Sequence, residues 1–392
     1  MPGKGKKVIF IINLLQDVNI VRGLVYLARR ETEAKVVLLV TNEFVKRDRL
    51  KIWQVELARI AAETDAEIYL YGTLQEARAV LNGHTGIVFA AAESNLPAHR
   101  QVNEVFKFAP SSYLRVTLQH GLECIGFLQS REHVISHGRN ISFGADVVCA
   151  WFEAPALTSL TASERSKLYV SGPPTLIQQR PRCGSGTLGG LVCENLHSVR
   201  LRASGDHKAS FMDIFFEFCA KMAERNEILN LRPHPGGQYV LKNNIPLPNN
   251  VRLNVRPMHE TDLTDFAFGI SAPSTVVLDM VLAEIPVAVW RDPGGIMDAT
   301  NYEGLTEIRT LGDWLAFERD VRLRPQMILD KQREFISRLS MPTDPAEVYQ
   351  RFARLIVAGL EGPVYQSKPD PAVRGVARRA ELSGDMFVEA RP

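Results

Sequence analysis

Three short segments of the sequence combine residue types that move protons or hold phosphate. In Val116-Thr-Leu-Gln-His-Gly-Leu-Glu-Cys-Ile-Gly126, apolar residues run into His120 and a glycine. An imidazole titrates near neutral pH, so His120 is a candidate general base toward a hydroxyl, with Glu123 placed to orient it or to act as the base itself. In Leu229-Asn-Leu-Arg-Pro-His-Pro-Gly-Gly237, a strand ends in Arg232, His234 is held between two prolines, and Gly236 opens a stretch where backbone can approach a ligand closely. The third segment, Gly269-Ile-Ser-Ala-Pro-Ser-Thr-Val-Val-Leu-Asp279, brings a strand to an end and starts a helix with Ser274 and Thr275. Free N–H groups at a helix start, backed by the helix dipole, attract anions, and hydroxyls there add hydrogen bonds to a phosphate. Asp279 follows Thr275 by one turn, where a carboxylate could accept from ribose hydroxyls. The plain alternatives are that Ser274 caps the helix, Asp279 is a solvated helix residue and His120 is a satisfied strand-end histidine. His133, His137, His197, His207 and His259 show no metal-ligand spacing, so no metal is expected.

Such segments need a scaffold that brings strand ends together. Apolar runs at Val8–Leu15, Lys35–Thr41, Glu67–Gly72, Gly86–Ala91, Leu114–Leu118, Val147–Trp151 and Leu168–Val170 read as strands. Helical patterns lie between them, near Val21–Arg30, Leu50–Ala62, Leu74–Leu81 and Gln101–Phe106. Continuous apolar strands alternating with helices imply a parallel sheet covered on both faces. The pattern restarts with strands at Leu188–Cys193, Ile228–Leu231, Val251–Val255, Phe266–Ile270 and Val287–Trp290. A helix is expected from Ser274 to Ala283, and others near Pro325–Arg338 and Pro345–Leu360. No internal repeat is present.

The fold class is therefore α/β, with two doubly wound, Rossmann-like domains expected to face each other across a cleft. Residues 1–172 form the first, acceptor-side domain, and 173–190 are a Pro/Gly-rich linker. Residues 191–362 form the second, nucleotide-side domain, its last helices able to pack back on the first, and 363–392 are a polar tail. A length of 392 residues suits two cores better than one. The net charge of +2 gives no general attraction to nucleic acid, and no nucleic-acid partner is expected. The five cysteines are scattered without a CxxC pair, which argues against a disulfide framework or a zinc site and suits a reducing, cytoplasmic setting. The apolar run after the N-terminal lysines is short and soon interrupted by Asn13, Gln16 and Asp17, so it reads as a strand and not a signal peptide. No stretch reaches the roughly 18 apolar residues of a membrane span.

Taken together, the three segments resemble the CDP-glycerol glycerophosphotransferases and the related TagF-like capsule polymerases that use cytidine-activated donors. That family pairs a strand-end His-Gly with Arg-x-His-Pro and with Ser-Ser followed four residues later by Asp. Here the matching residues are His120-Gly121, Arg232-Pro233-His234-Pro235, and Ser274-Thr275 with Asp279. The likeness covers roughly 114–126 and 228–291. It departs from the pattern at Gln119, where the family has Trp, at Leu122 for Thr, and at Thr275 for the second Ser. A His-Pro motif with a Ser/Thr pair also resembles the sialyltransferase-like and Kdo-transferase-like GT-B enzymes that use CMP-sugars. The resemblance implies His120 as base, His234, Ser274 and Thr275 as donor-phosphate contacts, and Asp279 on the ribose.

The expectation that follows is a GT-B glycosyltransferase. It would move a sugar from a nucleotide-activated, cytidine-type donor to a hydroxyl of a surface polysaccharide or glycolipid acceptor, with no cofactor or metal required. A CDP-glycerol-type glycerophosphotransferase is the first alternative, then a sugar-nucleotide 2-epimerase, then a non-catalytic nucleotide-binding protein. Arg47, Arg49 and Lys51 beside Trp53, and Arg374, Arg378 and Arg379 in the tail, could give peripheral contact with the inner face of a membrane.

Overall fold

The structure, a computed structural model, describes residues 5–178, 186, 188–194, 207–234, 239–292 and 297–361. The chain divides into two compact units. Unit 1 comprises Met1–His120, Arg139–Gln179 and Met341–Pro392, and unit 2 comprises Gly121–Gly138 and Arg180–Ser340. The segment Gly121–Gly138, which sequence alone places in the first half, thus clusters with unit 2. Residues 179–185 and 187 of the linker, Gly236 and the tail with its arginines lie outside the described residues.

Unit 1 is built on β1 (Lys6–Ile12), β2 (Lys35–Thr41), β3 (Glu67–Tyr71), β4 (Thr85–Ala90), β5 (Tyr113–Leu118), β6 (Val147–Ala150) and β7 (Leu168–Val170). They form one parallel sheet in the order β3-β2-β1-β4-β5-β6-β7. Residues 8–12 and 36–40 are buried throughout, as strands covered on both faces must be. The expected strand at Val8–Leu15 stops at Ile12 for a local reason. The backbone N–H groups of Asn13 and Leu14 donate to the Asp17 carboxylate at 2.9 and 2.8 Å instead of continuing the ladder. The helix Pro345–Glu361 belongs to unit 1 and lies against β1 and β4. Gly359 allows its close approach, since a Cβ there would stand 2.8 Å from the Ile87 side chain.

Unit 2 holds β8 (Gly190–Glu194), β9 (Leu229–Pro233), β10 (Val251–Leu253), β11 (Phe268–Ser271), β12 (Val287–Trp290) and β13 (Thr306–Ile308). These are again parallel, in the order β10-β9-β8-β11-β12-β13. Both sheets therefore reverse their strand order beside the first strand of the unit, at β1/β4 and at β8/β11. Ligands of open α/β sheets bind outside the carboxyl ends of the strands at such a reversal. Two helices and a short strand absent from the sequence reading complete the unit: Arg131–His137, Leu311–Leu323 and β13.

The core of unit 2 is anchored by aromatic rings. Phe211 meets Trp290 and Trp314 edge-on at centroid distances of 5.2 and 5.7 Å, and Phe218 meets Trp314 at 5.3 Å. All four residues are fully buried. Large-to-small changes at such positions lose both transfer energy and packing. Trp314→Ala is therefore expected to destabilise the protein by about 3–5 kcal/mol, read as a lower urea midpoint for the transition that reports unit 2.

Candidate functional site

In unit 1 the carboxyl ends of β1, β4 and β5 carry the polar groups. His120 lies two residues past β5, and its Nδ1 stands 3.2 Å from the carbonyl of Ala91, just past β4. A carbonyl oxygen only accepts, so Nδ1 carries the hydrogen and Nε2 is the basic nitrogen of the neutral ring. The residues before it are fixed from below. Thr117 donates its hydroxyl to the buried Glu93 carboxylate, which also accepts from Asn103 and from the Gly144 N–H at 2.9 Å. Gln119 is buried and accepts the Trp151 N–H at 2.9 Å through its side chain, so this departure from the family pattern serves to hold the end of β6.

Asp17, which sequence reasoning missed, is the carboxylate that unit 1 itself sets in the field of His120. It sits at the start of the helix Asp17–Glu31 and is fully buried. Its Oδ2 is taken by the Asn13 and Leu14 N–H groups, while Oδ1 is enclosed without a hydrogen-bond partner among the described residues. Desolvation pushes its carboxyl up to about 6, against the downward pull of those N–H groups, His120 and Arg47. The signal available in sequence was an Asp at a strand-to-helix turn, which equally describes an ordinary first-turn acid.

Glu123, the other residue of the proposed proton-handling pair, is fixed by unit 2. It lies in the segment that clusters with unit 2, where its Oε1 accepts from the Asn301 amide at 3.1 Å. That segment is fastened at several points within unit 2. Arg131 N–H donates to Asp298 Oδ2 at 2.7 Å, and Asp298 N–H donates to the buried Glu132 Oε1 at 3.0 Å. The Leu122 N–H donates to Thr275 Oγ1 at 3.0 Å. A Cβ on Gly121 would meet that same oxygen at 2.6 Å, so glycine is required here by close approach. Leu122 and Thr275, two of the three departures from the family pattern, thus meet in one hydrogen bond.

The helix Thr275–Leu282 begins at the β8/β11 reversal, directly after β11. Ser274 at its N-cap is extended and makes no side-chain capping bond, so the plain capping alternative does not describe it. The Val277 N–H donates to the Ser274 carbonyl at 3.1 Å, and the Thr275 and Val276 N–H groups find no acceptor among the described residues, the condition that favours an anion. Thr275 gives its oxygen to Leu122, which leaves its O–H hydrogen to donate. One turn on, Asp279 is half-buried, not a solvated helix residue, and burial pushes its carboxyl up to about 7 against the pull of Arg232.

On the other side of β8, β9 delivers Arg232 and His234. The Arg232 guanidinium is buried and donates to the Arg256 carbonyl at 2.7 Å. His234 is half-buried, and its backbone N–H is held by the buried Glu194 carboxylate at the end of β8. Glu194 also accepts from the Tyr239 and Val240 N–H groups at 2.7 and 2.9 Å. One carboxylate therefore holds the backbone of His234, Tyr239 and Val240, and these three donors offset the cost of burying it. Sequence reading missed Glu194 because nothing in its own segment signals a partner some 40 residues away.

No family model and no curated protein matches this sequence. Solved structures do. The glycotransferase of kitacinnamycin is similar at 13% identity and a TM-score of 0.55, over 92% of this chain and 100% of that one. The wall teichoic acid polymerase TagF is similar at 10% identity and a TM-score of 0.58, over 91% and 88%. The UDP-GlcNAc 2-epimerase of Neisseria meningitidis is similar at 10% identity and a TM-score of 0.54, over 91% and 99%. The fold is accordingly of the GT-B type, with two Rossmann-like units.

The raised Asp279 gives a stability prediction with a definite sign. Its carboxyl holds a proton in the folded protein up to about 7, whereas its ordinary value is 3.8. The folded state is thus favoured at low pH, and that contribution is lost as pH rises from about 4 to about 7. Relative to Asp279→Asn, the melting temperature of the unaltered protein should fall across this window. Asp17 titrates alike in both and cancels. Melting curves that stay parallel from pH 4 to pH 8 would show that the carboxyl is not desolvated.

Proposed function

We propose that the chain is a GT-B glycosyltransferase that moves a sugar from a nucleotide-activated, cytidine-type donor to a hydroxyl of a polysaccharide or glycolipid acceptor. The observation that carries this reading is the uncapped start of the helix Thr275–Leu282 at the β8/β11 reversal, with the tethered His234 on the neighbouring strand end. The fold shared with a glycotransferase and with TagF supports it.

In this reading unit 2 holds the donor and unit 1 supplies the base. The donor phosphate rests on the Thr275 and Val276 N–H groups, the Ser274 and Thr275 hydroxyls and His234, with the Arg232 charge behind them. Asp279 takes the ribose. The acceptor hydroxyl gives its proton to His120 Nε2 as its oxygen bonds to the anomeric carbon. The bond from that carbon to the phosphate oxygen breaks, and the nucleotide leaves with the electron pair. Donors already in place where that charge develops lower the barrier without reorganising. Asp17 favours the imidazolium that forms. Because protein donors meet the developing charge, transfer is expected to persist in EDTA.

TagF favours a second reading, since one of its structures was obtained with CDPG. Glycerophosphate transfer would use the same phosphate site but attack phosphorus. A screen of CMP-sugars, CDP-glycerol, UDP-sugars and GDP-sugars, each with and without acceptor, separates these readings, because an epimerase alters its donor with no acceptor present.

His120→Ala should lower kcat by about 10²–10⁴ with little change in donor affinity. His234→Ala and Ser274→Ala should weaken nucleotide binding in a calorimetric titration. Wild-type transfer by folded His120→Ala and His234→Ala variants would refute the assignment.

A further inference from the structure

The turn that follows β2 in unit 1 breaks a rule of helix electrostatics. Lys46, Arg47, Arg49 and Lys51 are all exposed there, whereas the whole chain carries a net charge of only +2. Lys46 and Arg47 end the helix Asn42–Arg47, where cations suit the dipole. Arg49 and Lys51 precede the helix Ile52–Thr64, where the dipole opposes them. The acidic residues nearby do not balance the set. Asp48 is buried and accepts from the Gln54 backbone N–H at 2.8 Å, and Glu56 is buried and paired with Arg22 and Arg59. Glu43 is exposed but already pairs with Lys46.

Two aliphatic side chains share this surface. With Lys51 as the N-cap, Leu50 and Val55 occupy the two positions, just before the cap and in the first turn, whose side chains stand together in a hydrophobic staple. The Val55 N–H reaches the Lys51 carbonyl at 3.0 Å, which confirms the register. Yet Leu50 remains 60% and Val55 68% exposed, far more than a staple needs. Phe44 and Trp53 are buried and anchor the turn from within. No aromatic ring of this turn is therefore left for base stacking, which disfavours single-stranded nucleic acid.

We infer that residues 46–55 form a docking face for an anionic bilayer. Cations at headgroup level and short aliphatic chains at the acyl boundary are the chemistry of such contact. The face borders the strand ends that carry Asn13 and Asp17, since Arg47 donates to the Asn13 carbonyl at 3.4 Å. A lipid-linked acceptor would then meet unit 1 at the edge that holds His120. Among the described residues no helix is long and apolar enough to cross a membrane, so the contact is peripheral.

The test is sedimentation of the full chain with vesicles of phosphatidylcholine mixed with phosphatidylglycerol, and with vesicles of phosphatidylcholine alone. The protein should pellet with the first and stay in solution with the second. Arg49→Ala combined with Lys51→Ala should lower the partition coefficient roughly thirty-fold, since each cation contributes comparably. Leu50→Ser with Val55→Ser should lower it most at high salt, where charge is screened. All four side chains are exposed, and an unchanged unfolding midpoint verifies folding. Absence of binding to the anionic vesicles overturns the inference, as does binding that both double variants retain in full. Neither donor nor acceptor is present, so failure here is separate from failure of the transfer reading.

Discussion

A parallel sheet sends the carboxyl ends of all its strands to one edge, and this constraint organises the chemistry of both units. Each strand is followed by a connection that must climb back along the sheet, so loops and helix starts crowd that edge. Where the strand order reverses, adjacent connections leave in opposite directions and open a gap between them. In unit 1 the gap lies beside Asn13, Asp17 and Ala91, and in unit 2 beside Glu194, Ser271 and Ser274. The candidate residues are scattered in sequence because each arrives on its own strand. Within each unit they gather at one edge because every strand of that sheet points the same way.

Buried carboxylates then turn loose strand ends into fixed ones. Asp17 stops β1 by taking two N–H groups, Glu93 holds β5 through Thr117, and Glu194 gathers the backbone of His234, Tyr239 and Val240. The pattern has a cost, since a desolvated carboxyl prefers to be neutral, and all three are shifted upward by burial. Backbone donors offset part of that cost and gain geometry in return.

This division explains what the sequence made legible. Apolar runs announced most strands, and His120, Arg232, His234 and Ser274 stood out because each follows such a run. Asp17 and Glu194 did not, because their roles depend on burial and on backbone partners that only the fold supplies. The tethering of Gly121–Gly138 to Thr275, Asp298 and Asn301 was equally invisible, since it joins residues more than 150 positions apart. The helix Leu311–Leu323 was overlooked for another reason. Its signal was present, as Thr310 and Asp313 form a capping box, but its charged residues blur the apolar stripe. At three residues, β13 was too short for any pattern.

The electrostatics beneath the helix Thr275–Leu282 bear on what kind of ligand suits it. A permanently charged carboxylate one turn from an anion-binding helix start would repel a phosphate through poorly screened surroundings. Asp279 avoids this, because desolvation brings its carboxyl to about 7, and Arg232 lies close enough to pull against that rise. The Arg232 charge is itself buried and committed to the Arg256 carbonyl, so it acts as a fixed positive background and not as a flexible arm. With Arg232 charged and the Asp279 carboxyl protonated up to about 7, the pair carries net positive charge, which would suit a negative group at the start of this helix. In the proposed donor role, this charge arrangement favours a phosphate over a cationic ligand.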